Sequence, residues 1–202
     1  MTEKETAQLR AQLDSFIGKP MGEGPAIAPD PVNIPMIRHW VDALEDENPV
    51  YLDEEVAAAS RFGGLVAPPA MLQAWTMGRP KIQGIAERGG GPVMQYENAL
   101  SVLDDAGFDA SRATNSELEF ERYLKPGDRL QTSTLLESIS DQKTTALGQG
   151  YFVTWVTTYT DEHGEVVGRQ LFRVLKFKPA TAEPNSLPNS LPNNGQEAGE
   201  KA

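Results

Sequence analysis

The hydrophobic period of this chain changes near Ala113, from the roughly 3.6-residue spacing of helices to the two-residue spacing of strands. Residues 116–124 alternate Leu118, Phe120 and Arg122 against Glu117, Glu119 and Glu121. After a KPGD turn comes 129–140, then a break at 140–150, then 151–161, a DEHGE turn, and 166–178. Segments of this kind, separated by Gly, Pro and Asp, predict four long strands joined by hairpins into one antiparallel sheet.

Upstream the pattern is helical. Leu9, Leu13 and Phe16 put one apolar face on a helix over 3–16 that ends at Gly18-Lys19-Pro20. A second helix over 35–47 takes Pro35 in its first turn, carries the stripe Ile37, Trp40, Val41 and Leu44, and is stopped by Asn48-Pro49. A third over 53–62 begins with Asp53, Glu54 and Glu55, where the helix dipole favours negative charge, and ends at Gly63-Gly64. Residues 67–78 read as a helix entered through Pro68-Pro69, with Ala70, Leu72, Ala74, Trp75 and Met77 leaving almost no polar face. Between 79 and 112 the signal is weak: Gly89, Gly90 and Gly91 mark a loop and 96–108 suits one more helix.

A nearly all-apolar helix before such a sheet has one sensible place, against the sheet's concave face. The expected fold is α+β, a hot-dog arrangement in which an antiparallel sheet wraps around a central apolar helix. Such a sheet leaves an edge strand exposed, so pairing with a second copy or a homologue is expected.

Charge and composition exclude several partners. Lys plus Arg number 18 against 29 Asp plus Glu, a net charge of −11, which repels nucleic acid and anionic membranes. There is no cysteine, hence no disulfide, thiolate nucleophile or thiolate metal site. His39 and His163 are the two imidazoles, and nothing in their spacing suggests a metal; the expected metal content is none. The N-terminus lacks a signal-peptide core and no apolar run nears the roughly 18 residues of a membrane span, so a cytoplasmic, reducing location is expected. After Pro179, Pro, Asn, Ser and Glu dominate and NSLP is duplicated; residues 1–179 are expected to fold and 180–202 to form a disordered tail or linker.

The stretch Glu45-Asp46-Glu47-Asn48-Pro49-Val50-Tyr51, followed by FGGLVAPPAML at 62–72, resembles the hydratase motif of MaoC-like enoyl-CoA hydratases and dehydratases, Gly-Asp-x-Asn-Pro-aliphatic-His, and its approach to the hot-dog helix. In that family the Asp and His activate a water that adds across the C2=C3 bond of an enoyl-CoA, while a backbone N–H at the central helix's N-terminus polarises the thioester carbonyl. Two positions depart from the pattern. Glu45 replaces the Gly, and Tyr51 stands where the His belongs, its phenol a poor base near a pKa of about 10. Asp46 alone cannot run the family mechanism, and His39 on a helix and His163 in a turn do not replace the missing base.

The resemblance is strongest to the His-lacking, larger MaoC-like subunit of heteromeric steroid side-chain enoyl-CoA hydratases, through 36–51, 67–78, 122–128, 145–159 and 171–179. It implies a small hot-dog partner that carries the Asp/His pair, a bulky acyl-CoA substrate, no cofactor beyond its coenzyme A, and a chain that widens the acyl channel rather than obstructing it. Larger subunits of this type often carry a C-terminal zinc-ribbon and OB-fold extension. Without cysteine these 202 residues hold no such ribbon, and residues after Pro179 lie where a linker to it would begin. The implied substrate-contacting residues are Asp46, Asn48, Tyr51, Gly63, Gly64, Pro69 and Ala70.

Each has a plainer reading. Asp46 and Asn48 favour turns in any protein, Tyr51 suits a packed core, and two glycines before a helix are common. Arg122, Lys125, Arg129, Arg169, Arg173, Lys176 and Lys178 either meet the CoA phosphates or form a solvated strand face. Met71, Met77 and Met94 suit an adaptable apolar pocket. Two other functions fit the same residues: a CoA-binding scaffold for a downstream aldolase- or thiolase-like partner, and a self-sufficient thioesterase using Asp46 as base.

Overall fold

A computed structural model describes residues 2–22, 24–78, 83 and 97–180. The first helix, α1 (Glu3–Asp14), is closed by a capping box: the Thr2 hydroxyl accepts from the Glu5 N–H and the Glu5 carboxylate accepts from the Thr2 N–H. Leu9 and Leu13 are its buried face, as their spacing predicts. A two-residue strand, β1 (Ala26–Ile27), precedes α2 (Ile34–Leu44), which is capped by the Asn33 side chain and buries Ile37 and Val41. Two short helices follow, α3 (Pro49–Leu52) under an Asn48 cap and α4 (Glu54–Ala59) under an Asp53 cap. Asn48-Pro49 therefore both closes one helical region and opens the next, since proline is well suited to a helix's first position.

Residues 67–78 do not form the expected helix. They make two single turns of 3-10 helix, Pro69–Met71 and Ala74–Thr76. Pro68 and Pro69 remove two N–H donors at the start of this segment. Met71, Leu72 and Trp75 nonetheless enter the core, whereas Ala70 is exposed and Met77, expected on the apolar face, is 64% exposed. Within the 96–108 segment the structure contains α5 (Ala99–Asp105) under an Asn98 cap. Gly89, Gly90, Gly91, Met94 and the tail beyond Ala180 lie outside the described residues.

The strands are β2 (Ala110–Phe120), β3 (Gln131–Ile139), β4 (Lys143–Thr145), β5 (Gly148–Thr160) and β6 (Val166–Pro179). They form one antiparallel sheet in the order β1-β3-β5-β6-β2, with β4 paired to β5. The expectation of successive hairpins needs one correction. β2 pairs with β6 and β3 with β5, so β2 and β3 lie on opposite sides of the central pair. The KPGD turn belongs to a crossing connection, and the break at 140–150 holds the β4–β5 hairpin.

Alternation along β5 turns Tyr151, Val153, Trp155, Thr157 and Tyr159 to the face that carries the helices. Two separate cores lie on that face. One gathers Ile37, Val41, Tyr51, Met71, Leu72, Trp75 and Tyr159; the other gathers Leu9, Leu13, Val102, Leu103, Leu136, Tyr151 and Val153. Between them the register sets a polar row across the sheet: Gln170 of β6 opposite Thr157 of β5, and Thr157 opposite Thr134 of β3. The two threonine hydroxyls bond each other at 2.9 Å. Among the described residues no helix is long and apolar enough to cross a membrane.

Candidate functional site

The motif segment leaves α2 through Glu45, whose backbone is left-handed at φ 54° and ψ 37°, the only non-glycine with positive φ among the described residues. This is the helix-ending position glycine favours, so a local backbone demand accounts for Gly as the family's residue there. The Asp46 N–H returns to the Val41 carbonyl at 2.9 Å. Asp46 is half-buried; its Oδ1 accepts from the Asn48 N–H at 3.1 Å, and Asn48 Oδ1 accepts from the Val50 N–H at 3.3 Å. These bonds aim Tyr51 into the first core, where it is buried.

Burial pushes the Tyr51 phenol pKa above its usual value; the neighbouring Tyr123 and Asp46 charges act in the same direction, and a side-chain hydrogen bond with Asn48 opposes them. A phenol held protonated in this way takes no proton from water at neutral pH. His39 and His163 are both exposed, and neither shares a hydrogen bond or ion pair with Asp46. Among the described residues no cluster of three or more His, Asp or Glu could hold a metal ion.

The structure separates the other expected site residues. Gly63 and Gly64 finish α4: their N–H groups donate to the Ser60 and Ala57 carbonyls, at 3.2 and 3.0 Å. Positive φ values of 65° and 151° suit them to that reversal. They thus close one helix rather than open the next. Pro69 and Ala70 lie in the first 3-10 turn, whose internal bonds run from the Met71 and Leu72 N–H groups and leave the Ala70 N–H outside them. A single turn has almost no macrodipole, so any polarising effect there rests on that one amide.

Five of the seven basic residues considered for CoA are engaged within the chain, Lys178 by lying 5.8 Å from the centroid of the Phe108 ring. Arg122 bridges Asp128 and Asp161, Arg169 pairs with Glu121, Arg173 donates to Thr154, and Lys176 is held by Asp104.

The sequence reading missed a polar group on the concave face. Gln170 is 5% exposed; its Oε1 accepts from the Tyr159 hydroxyl at 3.1 Å, and its Nε2 donates to Ser116 Oγ at 3.1 Å and Gln73 Oε1 at 3.4 Å. Burial raises the Tyr159 pKa to about 12, so this phenol remains a donor. Its signal in the sequence was a glutamine two residues from Gly168 and Phe172 on the inward-facing register of β6, which the alternation rule alone could flag.

An antiparallel sheet with helices on one face and an Asp-x-Asn-Pro turn beside it defines the chain's class. Residues 15–170 match the family described as FAS1-like, dehydratase domain region, and the chain belongs to that family. It is 46% identical over 174 residues to the probable enoyl-CoA hydratase alpha subunit of Thermomonospora curvata, spanning 85% of this chain and 53% of that protein. It is 41% identical over 168 residues to the 3-oxo-4,17-pregnadiene-20-carboxyl-CoA hydratase alpha subunit of Mycobacterium tuberculosis, spanning 81% and 50%. The chain therefore spans about half the length of these curated relatives. Among solved structures it is similar to a chain of the ChsH1-ChsH2 complex from Mycobacterium tuberculosis, with a TM-score of 0.71 and 36% identity, covering 94% of this chain and 100% of that one. The hot-dog expectation stands on this likeness and on the observed sheet.

Proposed function

We propose that this chain is the MaoC-like subunit of a heteromeric enoyl-CoA hydratase, in which a small hot-dog partner supplies the Asp/His pair and water adds across the C2=C3 bond of a bulky, steroid-like acyl-CoA. The observation that carries this reading is Tyr51. At the motif's histidine position lies a buried phenol whose proton is held more tightly than in water, beside an Asp46 engaged in a turn. The water's oxygen goes to C3 and its proton to C2, a transfer for which the Tyr51 phenol, protonated at neutral pH, offers no base.

The alpha-subunit names of the two curated relatives and the complex containing the similar solved chain support a heteromer. Two 3-10 turns in place of the expected helix at 67–78, and a concave face divided into two cores, support a wide acyl channel. On this reading the chain works in the cytoplasm with no cofactor beyond the coenzyme A of its substrate.

The test is to purify the chain alone, the small hot-dog partner alone and the two together, and to follow loss of the enoyl-thioester absorbance. Hydration by the mixture only is the expected result. Hydration by the lone chain overturns the division of labour; a tight but inactive mixture favours a scaffold for an aldolase- or thiolase-like protein; thioester cleavage by the lone chain favours Asp46 as a hydrolytic base.

A further inference from the structure

The two edges of the sheet are unlike. Along β3 the far side is covered: β1 pairs with Gln131 and Thr132, and the N–H groups of Ala28, Met21 and Gly18 donate to the Leu130, Thr134 and Leu136 carbonyls. Along β2 it is open. Among the described residues β2 pairs with β6 alone and is exposed from Ser111 to Phe120, so half of its backbone N–H and C=O groups point away from any strand.

Each face of this edge carries a different chemistry. Ser116, Leu118 and Phe120 stand across from Phe172, Gln170 and Gly168 and share the helix-bearing face, where Leu118 and Phe120 are 37% and 43% exposed. Glu117 and Glu119 stand across from Leu171 and Arg169 on the other face. Arg169 gives its bond to Glu121, and among the described residues neither Glu117 nor Glu119 has an ion pair or side-chain hydrogen bond. A strand added here meets apolar surface on one face and two unpaired carboxylates on the other.

A second copy of this chain meets that requirement badly. In antiparallel pairing, residues directly across share a face, and like charges directly across are destabilising. Centring a two-fold on Leu118 sets Leu118 against its copy and Ser116 against Phe120, but it also sets Glu117 against Glu119 twice. Centring on Glu117, Glu119 or Phe120 likewise brings carboxylate to carboxylate. Centring on Asn115 or Ser116, beside the register shift between Ala113 and Asn115, does bring Arg112 to Glu117 or Glu119; Leu118 then faces Ser111 or Ala113, and Phe120 faces Ser111 or overruns the start of β2. No centring gives both carboxylates a cation and both apolar side chains an apolar partner.

Building on the function proposed above, we propose that β2 is the strand to which the small hot-dog partner adds its own edge strand, and that Glu117 and Glu119 select that partner over a second copy of this chain. The partner's strand turns apolar residues toward Leu118 and Phe120 and places Lys or Arg directly across from the two carboxylates.

The experiment mixes the separately purified chain and small partner and follows hydrogen exchange, binding by calorimetry, and enoyl-CoA hydration. Backbone amides of Ala110–Phe120 are expected to slow about tenfold or more on mixing, and by more than those of β3. The double variant Glu117→Lys with Glu119→Lys, at exposed positions that leave the fold intact, is expected to weaken partner binding about tenfold or more. Glu117→Thr with Glu119→Thr is expected to turn the lone chain from monomer to dimer, measured by sedimentation. A partner affinity changed less than twofold by the lysine variant, or exchange that slows elsewhere and not in β2, overturns the assignment; if the mixture still hydrates, the hydratase reading stays intact and the carboxylates serve only to guard an open edge. A wild-type lone chain that is already a dimer, or a threonine variant that stays monomeric, overturns the exclusion of a second copy. A wild-type mixture that neither binds nor hydrates overturns the hydratase reading and this assignment with it.

Discussion

The Asp46 carboxylate accepts the Asn48 backbone N–H at 3.1 Å, one of the turn bonds through which the chain delivers Tyr51 to the core. A change at residue 51 alone therefore places a new side chain in the phenol's apolar environment. Tyr51→His is expected to destabilise the fold by about 1 to 3 kcal/mol, through lost aromatic burial and a polar ring in an apolar site. It is expected to give no hydration by the lone chain. Denaturant unfolding and an enoyl-CoA assay on the same preparation check both parts.

Glu45 holds a left-handed conformation that costs an L-residue roughly 1 kcal/mol relative to glycine at a helix-ending position. Glu45→Gly is expected to raise unfolding stability by about that amount with the m-value unchanged. A neutral or negative change in the denaturation midpoint would show that the glutamate side chain compensates for the strain.

Lys176 and Asp104 are unequal partners: the lysine side chain is buried and the aspartate is about half exposed. Removing the aspartate leaves a buried ammonium with the Asp109 carbonyl, at 3.4 Å, as its remaining partner, whereas removing the lysine leaves a carboxylate that water can reach. Asp104→Ala is expected to cost about 2 to 4 kcal/mol and Lys176→Met about 1 kcal/mol or less. Equal losses in the two variants would contradict the asymmetry.

Arg122 ties the 123–128 turn to the β5–β6 turn through Asp128 and Asp161, at 2.6 and 3.0 Å. For Asp161, desolvation pushes the pKa up, but the Arg122 hydrogen bond and the backbone N–H groups of Glu165 and His163 outweigh it, so the net shift is downward from 3.8. A carboxylate whose folded pKa is depressed contributes stability that is present above the unfolded value and lost as pH falls through the folded one. Arg122→Leu is expected to lower stability at pH 6, and the gap between variant and wild type is expected to narrow below pH 4 or so. Urea midpoints measured from pH 6 to pH 3 test this; a constant gap would exclude the linkage.

Much of the fold could be read from local patterns. Leu9 with Leu13, and Ile37 with Val41, mark helix faces that the structure buries. The two-residue period places β5 and β6 within a few residues of their observed ends, and Asp53 and Asn48 cap the helices they precede. The apolar run at 67–78 was legible as core but not as 3-10 turns, because burial and helical geometry leave the same apolar signal when prolines interrupt the chain. In the candidate site, Asp46, Asn48 and Tyr51 are brought together by local turn bonds. Gly63 and Gly64 close α4, as the helix read over 53–62 predicts, and lie before no regular helix at 67–78.

The sequence by itself determined roughly where α1, α2, α4, β3, β5 and β6 lie, that no cysteine or suitably placed histidine is available, and that the family's base position holds a tyrosine. Each of those is a property of a residue and its near neighbours along the chain. Only the tertiary structure decided that β2 pairs with β6, which brings Ser116 to Gln170 across 54 positions of sequence, and that Tyr159, Gln73 and Thr157 join them on the concave face. Strand pairing is set by the burial of whole faces against one another, and that polar group exists only once the register is fixed.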